Sequence, residues 1–140
     1  MYIETEEDQN VRINEENYVD HAEQTILHLK QEYERSGKRK EMVTTSKLRN
    51  ILAMAADIYN QILNESGEKL STEICGRISY LRVRVIYECG RETKVKEFVN
   101  QAGLLEILSD IKGSRKNYLL FHKYMEALVA FHRFYGGKEQ

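Results

Sequence analysis

Between Ile74 and Arg91 the chain reads ICGRISYLRVRVIYECGR, and its apolar spacing prescribes a helix. Ile74, Ile78, Leu81, Val85 and Cys89 recur at intervals of four, three, four and four, which aligns them on one face at 3.6 residues per turn. A second line, Arg77, Tyr80, Arg84 and Tyr87, runs along another side at intervals of three, four and three. Guanidinium forks fit phosphate and an aromatic face stacks on a base. The segment therefore combines a core seam with a surface suited to a polyanion.

The rest of the chain repeats the helical period. A first helix is expected from about Tyr18 to Ser36, with Val19, Ala22, Ile26, Leu29 and Tyr33 inward. Gly37 ends it, and Lys38, Arg39 and Lys40 form a basic loop. A second begins at Thr44-Thr45-Ser46, whose hydroxyls suit an N-cap, and runs to about Asn64. Leu48, Ile51, Leu52, Ala55, Tyr59, Ile62 and Leu63 form its inner face. Ser71 caps the third helix, which is expected to end at Gly90. A fourth helical region, Lys94 to Ile111, is broken near Gly103, and a last helix spans Ser114 to Tyr135 before Gly136-Gly137. No proline interrupts any of them. The expectation is an all-α fold, a compact bundle of about five helices in one domain, 17–140, behind a flexible acidic tail, 1–16.

Charge is distributed unevenly. Through Ser36 there are ten acidic and three basic residues; from Gly37 onward there are twelve acidic and eighteen basic. An acidic head thus precedes a mildly basic body, which could face a polyanion. No apolar run approaches the roughly 20 residues that span a bilayer, and the N-terminus does not resemble a secretory signal, so a cytoplasmic setting without membrane contact is expected. Cys75 and Cys89 share one helix about 21 Å apart, too far for a disulfide, and read as small buried side chains in a reducing compartment.

Enzyme chemistry finds no foothold. His21 and His28 lie seven apart on one helix, about 10 Å along its axis, and His122 and His132 lie ten apart on another. These spacings match no metal motif, so the histidines read as partly exposed or hydrogen-bonded. No phosphate loop, dinucleotide fingerprint or nucleophile elbow is present. The paired carboxylates, Glu6-Glu7-Asp8 and Glu15-Glu16, sit in the polar tail. No cofactor, metal or catalytic residue is expected.

The basic positions carry more information. At TTSKLRN, a helix start with its free N–H groups and positive dipole end combines with hydroxyls, Lys47 and Arg49. Arg77 has Glu73 one turn before it and Arg84 has Glu88 one turn after it, both suited to surface ion pairs. Arg82 falls beside the apolar seam, where a charge must reach outward, pair, or line a groove.

TTSKLRN (Thr44 to Asn50), YLRVRVIYECGRE (Tyr80 to Glu92) and YMEALVAFHRFYGG (Tyr124 to Gly137) together resemble the small helical subunit of type III-A CRISPR–Cas (Csm) effector complexes. The resemblance covers about residues 44 to 137; the family commonly has Ala where Cys89 stands. It implies a non-catalytic subunit in antiviral defence that stacks in several copies. It also implies contact with the guide RNA and target RNA backbone, beside the backbone and large subunits of the complex. Carried over residue by residue, the RNA-binding candidates are Lys47, Arg49, Arg82, Arg91, Lys123 and Arg133, with Arg84 as a secondary one. The resemblance shifts weight from the Arg77 ladder to Arg82 and Arg91, leaves Arg77 to Glu73, and casts Tyr87, Glu88, Gly90, Tyr124, Glu126 and Ala127 as structural, with Tyr80 and Tyr87 in packing. Two other readings stand beside it: a helical protein–protein interaction adaptor without direct RNA contact, and a small metal-dependent nuclease.

Overall fold

The computed structural model describes residues 12–35 and 42–138. Gly37, the Lys38–Lys40 loop and residues 1–11 of the expected tail lie outside the described residues. Among the described residues there are six helices: α1 Tyr18–Arg35, α2 Thr45–Leu63, α3 Thr72–Arg91, α4 Thr93–Ala102, α5 Leu104–Ser109 and α6 Arg115–Phe134. The fold is an all-α bundle. The helical region expected between Lys94 and Ile111 divides into α4 and α5 because Gly103 takes a left-handed conformation, φ 72°.

Helix starts follow the hydroxyls. Thr44 Oγ1 accepts from the Lys47 amide, Ser71 Oγ from Ile74 and Ser114 Oγ from Asn117. Each cap satisfies an otherwise orphaned N–H and contributes about 1 kcal/mol. Before α1, the side chain of Asn14 accepts from the amides of Glu16 and Asn17, so residues 14–17 form a hydrogen-bonded turn into the helix.

Helix α6 is the hub. It packs against α1 on one side and α2 on another, while α3 lies on α2 and is covered by α4 and α5. Its inward residues Tyr118, Phe121, Tyr124, Met125 and Leu128 are fully buried. A buried aromatic of this kind stabilises the fold by roughly 1.5–3 kcal/mol. The two phenols end on backbone carbonyls: Tyr118 donates to Ala55 at 2.6 Å and Tyr124 to Ala102 at 2.8 Å. Burial raises both phenol pKa values, that of Tyr124 to about 12.

The α3 seam is buried at Ile74, Ile78, Leu81 and Val85, with Cys75 and Cys89 half-buried and both thiols free. Several expectations need correction. Val19 is exposed; the inward stripe of α1 turns toward Thr25, whose hydroxyl donates to the His21 carbonyl. Leu63 is exposed because its neighbour Ile62 takes the inward position, and successive residues sit about 100° apart on a helix. Ile58 is buried beside the expected α2 residues. Helix α3 does not stop at Gly90. It continues through Arg91 and ends where Glu92 turns to extended backbone.

The tyrosines of α3 are not packing residues. Tyr80 is 62% exposed and Tyr87 57% exposed. Both stand on the side opposite the seam, where no other described helix covers α3. Among the described residues, Arg77 and Glu73 form no ion pair, whereas Arg84 and Glu88 do, at 3.7 Å.

Candidate nucleic-acid interface

Helices α2 and α6 run antiparallel. The Arg115 guanidinium at the start of α6 donates to the carbonyls of Ile62 and Glu65 at the end of α2, and His132 near the end of α6 meets Thr45 at the start of α2. The end of α3 joins the same pole through Lys47 and Glu92, paired at 2.9 Å. Five of the seven predicted cations therefore belong to elements meeting at one end of the bundle: Lys47 and Arg49 in the first turns of α2, Arg84 and Arg91 in the last turns of α3, and Arg133 at the end of α6.

Arg84 and Arg91 form one unit. Both guanidiniums pair with Glu88, Arg84 at 3.7 Å and Arg91 at 3.4 Å, and both lie against the ring of Tyr87, at 6.0 and 5.7 Å from its centroid. These distances are within the range of cation–π attraction. Glu88 is largely sheltered, so it anchors two cations from below while the phenol stands in solvent. The Nε of Arg84 is buried with no hydrogen-bond partner among the described residues.

Arg82 and Lys123 stand apart from this pole. Arg82 is exposed and lines an open groove between α1, α3, α4 and α5, shared with His28, Glu97 and Gln101. Lys123, midway along α6, pairs with Glu15 at 3.4 Å. Arg49 and Arg133 are exposed.

The start of α2 differs from expectation. Its first free N–H, that of Thr45, donates to the Lys138 carbonyl at 2.7 Å, and the Lys47 amide is taken by Thr44. The chain's own C-terminal segment thus occupies part of the donor set read as an anion site. Ser46, exposed in the same turn, and the cations of Lys47 and Arg49 complete this helix start, with Lys47 paired to Glu92.

Sequence reasoning did not single out what secures this pole. His132 is fully buried, with Nε2 2.6 Å from the Val43 carbonyl and Nδ1 3.0 Å from Thr45 Oγ1. Since a carbonyl only accepts, Nε2 carries a proton. The signal was present: His132 follows Leu128 by four residues, on the buried stripe of α6. The remaining histidines are scattered. His28 pairs with Glu32 at 3.5 Å; His21 is half-buried near the Tyr124 ring; His122 is buried and stacked on Tyr59 at 4.2 Å. Burial lowers the pKa of His21 and His122. Among the described residues, no three His, Cys, Asp or Glu side chains are grouped to hold a metal ion. No described helix is long and apolar enough to cross a membrane.

A helical bundle with guanidinium and aromatic groups gathered at one pole has the makings of a binding protein. Comparison with known proteins is more specific. A family model described as Csm2 Type III-A matches residues 23–138. A Streptococcus thermophilus protein named CRISPR system Cms protein Csm2 is 40% identical over 127 residues, 91% of this chain and 98% of its own. Proteins of the same name from Mycobacterium tuberculosis and Enterococcus italicus are 38% identical over 98 residues and 36% identical over 95, covering 70% and 66% of this chain and 79% and 68% of theirs. The chain belongs to the type III-A Csm2 family.

Proposed function

We propose that this chain is the non-catalytic small subunit of a type III-A CRISPR–Cas ribonucleoprotein, stacking in several copies and contacting the guide–target RNA backbone. The observation that carries the RNA reading is the cluster at the end of α3, where Glu88 gathers Arg84 and Arg91 against an exposed tyrosine. Guanidinium forks contact phosphates without regard to sequence. That suits a particle whose specificity comes from base pairing, with the protein reading backbone shape. Lys47, Arg49 and Arg133 extend the same pole, and Arg82 and Lys123 supply further contacts.

A second reading is favoured by different pairs. Lys47 and Lys123 are already held by carboxylates of the same chain, Glu92 and Glu15. These two lysines fit a subunit that meets protein neighbours as readily as one that meets RNA. Zero-length photocrosslinking in the native particle separates the readings. RNA crosslinks at the peptide carrying Arg84 to Arg91 support direct contact. Protein crosslinks there, with none to RNA, establish the interaction adaptor instead.

A further inference from the structure

Tyr87 adds nothing to the buried core of the bundle. Its side chain is mostly exposed, no other described helix covers it, and the guanidiniums of Arg84 and Arg91 lie 6.0 and 5.7 Å from its ring centroid. On a helix, Arg84 and Arg91 sit about 60° and 40° to one side of Tyr87, while Gly90 sits about 60° to the other. That second flank is open: nothing lies within 4 Å of where a Gly90 Cβ would stand. Gly90 does not have the positive φ that would require glycine, and it is not the end of the helix. Within the bundle an alanine would fit and would favour the helix. The absent side chain leaves room for something flat to approach the ring from outside.

We infer that Tyr87 is a stacking platform for an unpaired nucleobase, with Gly90 as the clearance beside it and Arg84 and Arg91 positioned to meet the flanking phosphates. The inference rests on the RNA reading above and deepens it: the end of α3 takes a single strand, or a base turned out of a duplex, as well as a sugar–phosphate backbone. A tyrosine face stacks on any base, and stacking against an aromatic side chain does not release counterions, whereas a phosphate contact does. Glu88 is a positioning residue, since it orders both guanidiniums without facing the base.

The test is binding of a fluorescein-labelled single-stranded RNA to the full chain over a salt series. Tyr87→Leu should weaken binding on the order of 10-fold with the salt slope unchanged, and Tyr87→Phe should restore most of the loss. Arg84→Ala should reduce the slope. Gly90→Ala should weaken binding several-fold while thermal stability holds or rises, a combination that misfolding cannot produce. Tyr87→Leu and Gly90→Ala binding as tightly as the unaltered chain would overturn the platform and leave the RNA reading standing. Loss of self-association, with RNA binding intact, would assign the tyrosine to a protein contact. Failure of the unaltered chain to bind RNA overturns both readings.

Discussion

His132 and Thr45 meet 3.0 Å apart at the pole where α6 ends and α2 begins, and neither is accessible to water. The imidazole also reaches the Val43 carbonyl, so one side chain joins the last helix to the segment that opens the second. Gly137 packs on the ring, its amide donating to the His132 carbonyl at 2.8 Å, and Lys138 accepts from Thr45. The basic pole is therefore secured by a buried hydrogen-bonded clasp that ties Val43, Gly137 and Lys138, outside the helices, to Thr45 and His132.

The clasp predicts a steric effect at a residue that bears no charge. A Cβ on Gly137 would overlap the His132 ring, so Gly137→Ala should destabilise the fold by about 1–3 kcal/mol. His132→Leu should cost a similar amount, on the order of 1–3 kcal/mol, by stranding the buried Val43 carbonyl and Thr45 hydroxyl. Urea unfolding followed by circular dichroism measures both. Gly136→Ala is the internal comparison: its cost comes from φ 91° alone, since nothing lies within 4 Å of a Cβ there.

Arg115 should behave as a structural residue despite its charge. Its guanidinium closes the end of α2 through two carbonyls, at 3.0 and 2.8 Å. Arg115→Ala is expected to lower stability by roughly 1.5–3 kcal/mol, the range for hydrogen bonds to a charged group. RNA affinity, measured at a temperature where the variant is folded, should be unchanged.

Stability should fall on both sides of neutrality. His122 is buried and its pKa lies below 6.5, so below pH 6.5 the unfolded chain binds a proton that the folded chain refuses. Its contribution is complete above pH 6.5 and declines as pH drops. For Tyr118 and Tyr124 the folded pKa is raised, so their contribution is complete below pH 10 and declines above it, through about 12 for Tyr124. Urea midpoints across pH should show both declines. Tyr124→Phe should flatten the alkaline side, and His122→Phe, which retains a ring to stack on Tyr59, the acid side.

The helices were legible in the sequence because each has a 3.6-residue apolar stripe and three of them open on a hydroxyl cap. The α3 seam stands where spacing put it, and Thr44 and Ser71 cap as their hydroxyls implied, whereas Ser114, expected as the first residue of the last helix, is its cap. What spacing could not supply was tertiary. Tyr80 and Tyr87 look like packing residues in a sequence that is rich in tyrosine; the positions of α2, α4 and α5 leave their side of α3 uncovered by any described helix. Gly90 looks like a helix terminator, yet the chain turns two residues later, at Glu92. Of the candidate cations, Arg84 and Arg91 could be paired from the sequence by their shared reach to Glu88. That Lys47 is held by Glu92 depends on how α2 and α3 fold back on each other.

The exposed face of α3 also predicts a solubility effect. Tyr80, Val83 and Tyr87 form a line of exposed apolar and aromatic groups, with Val83 54% exposed. Replacing Val83 with Lys removes apolar surface that no other described helix covers, so it should leave the unfolding free energy within about 0.5 kcal/mol of its original value. It should also reduce concentration-dependent association, read by light scattering.

The most direct test of the account is the salt dependence of single-stranded RNA binding, comparing the unaltered chain with the Arg84→Ala/Arg91→Ala double variant. Each phosphate contact contributes roughly 0.7 to the slope of log affinity against log salt. The variant should bind more weakly, with a slope shallower by on the order of 1.4, two such contacts, and with its helical signal unaltered. Equal affinity and equal slope for the two proteins would contradict it.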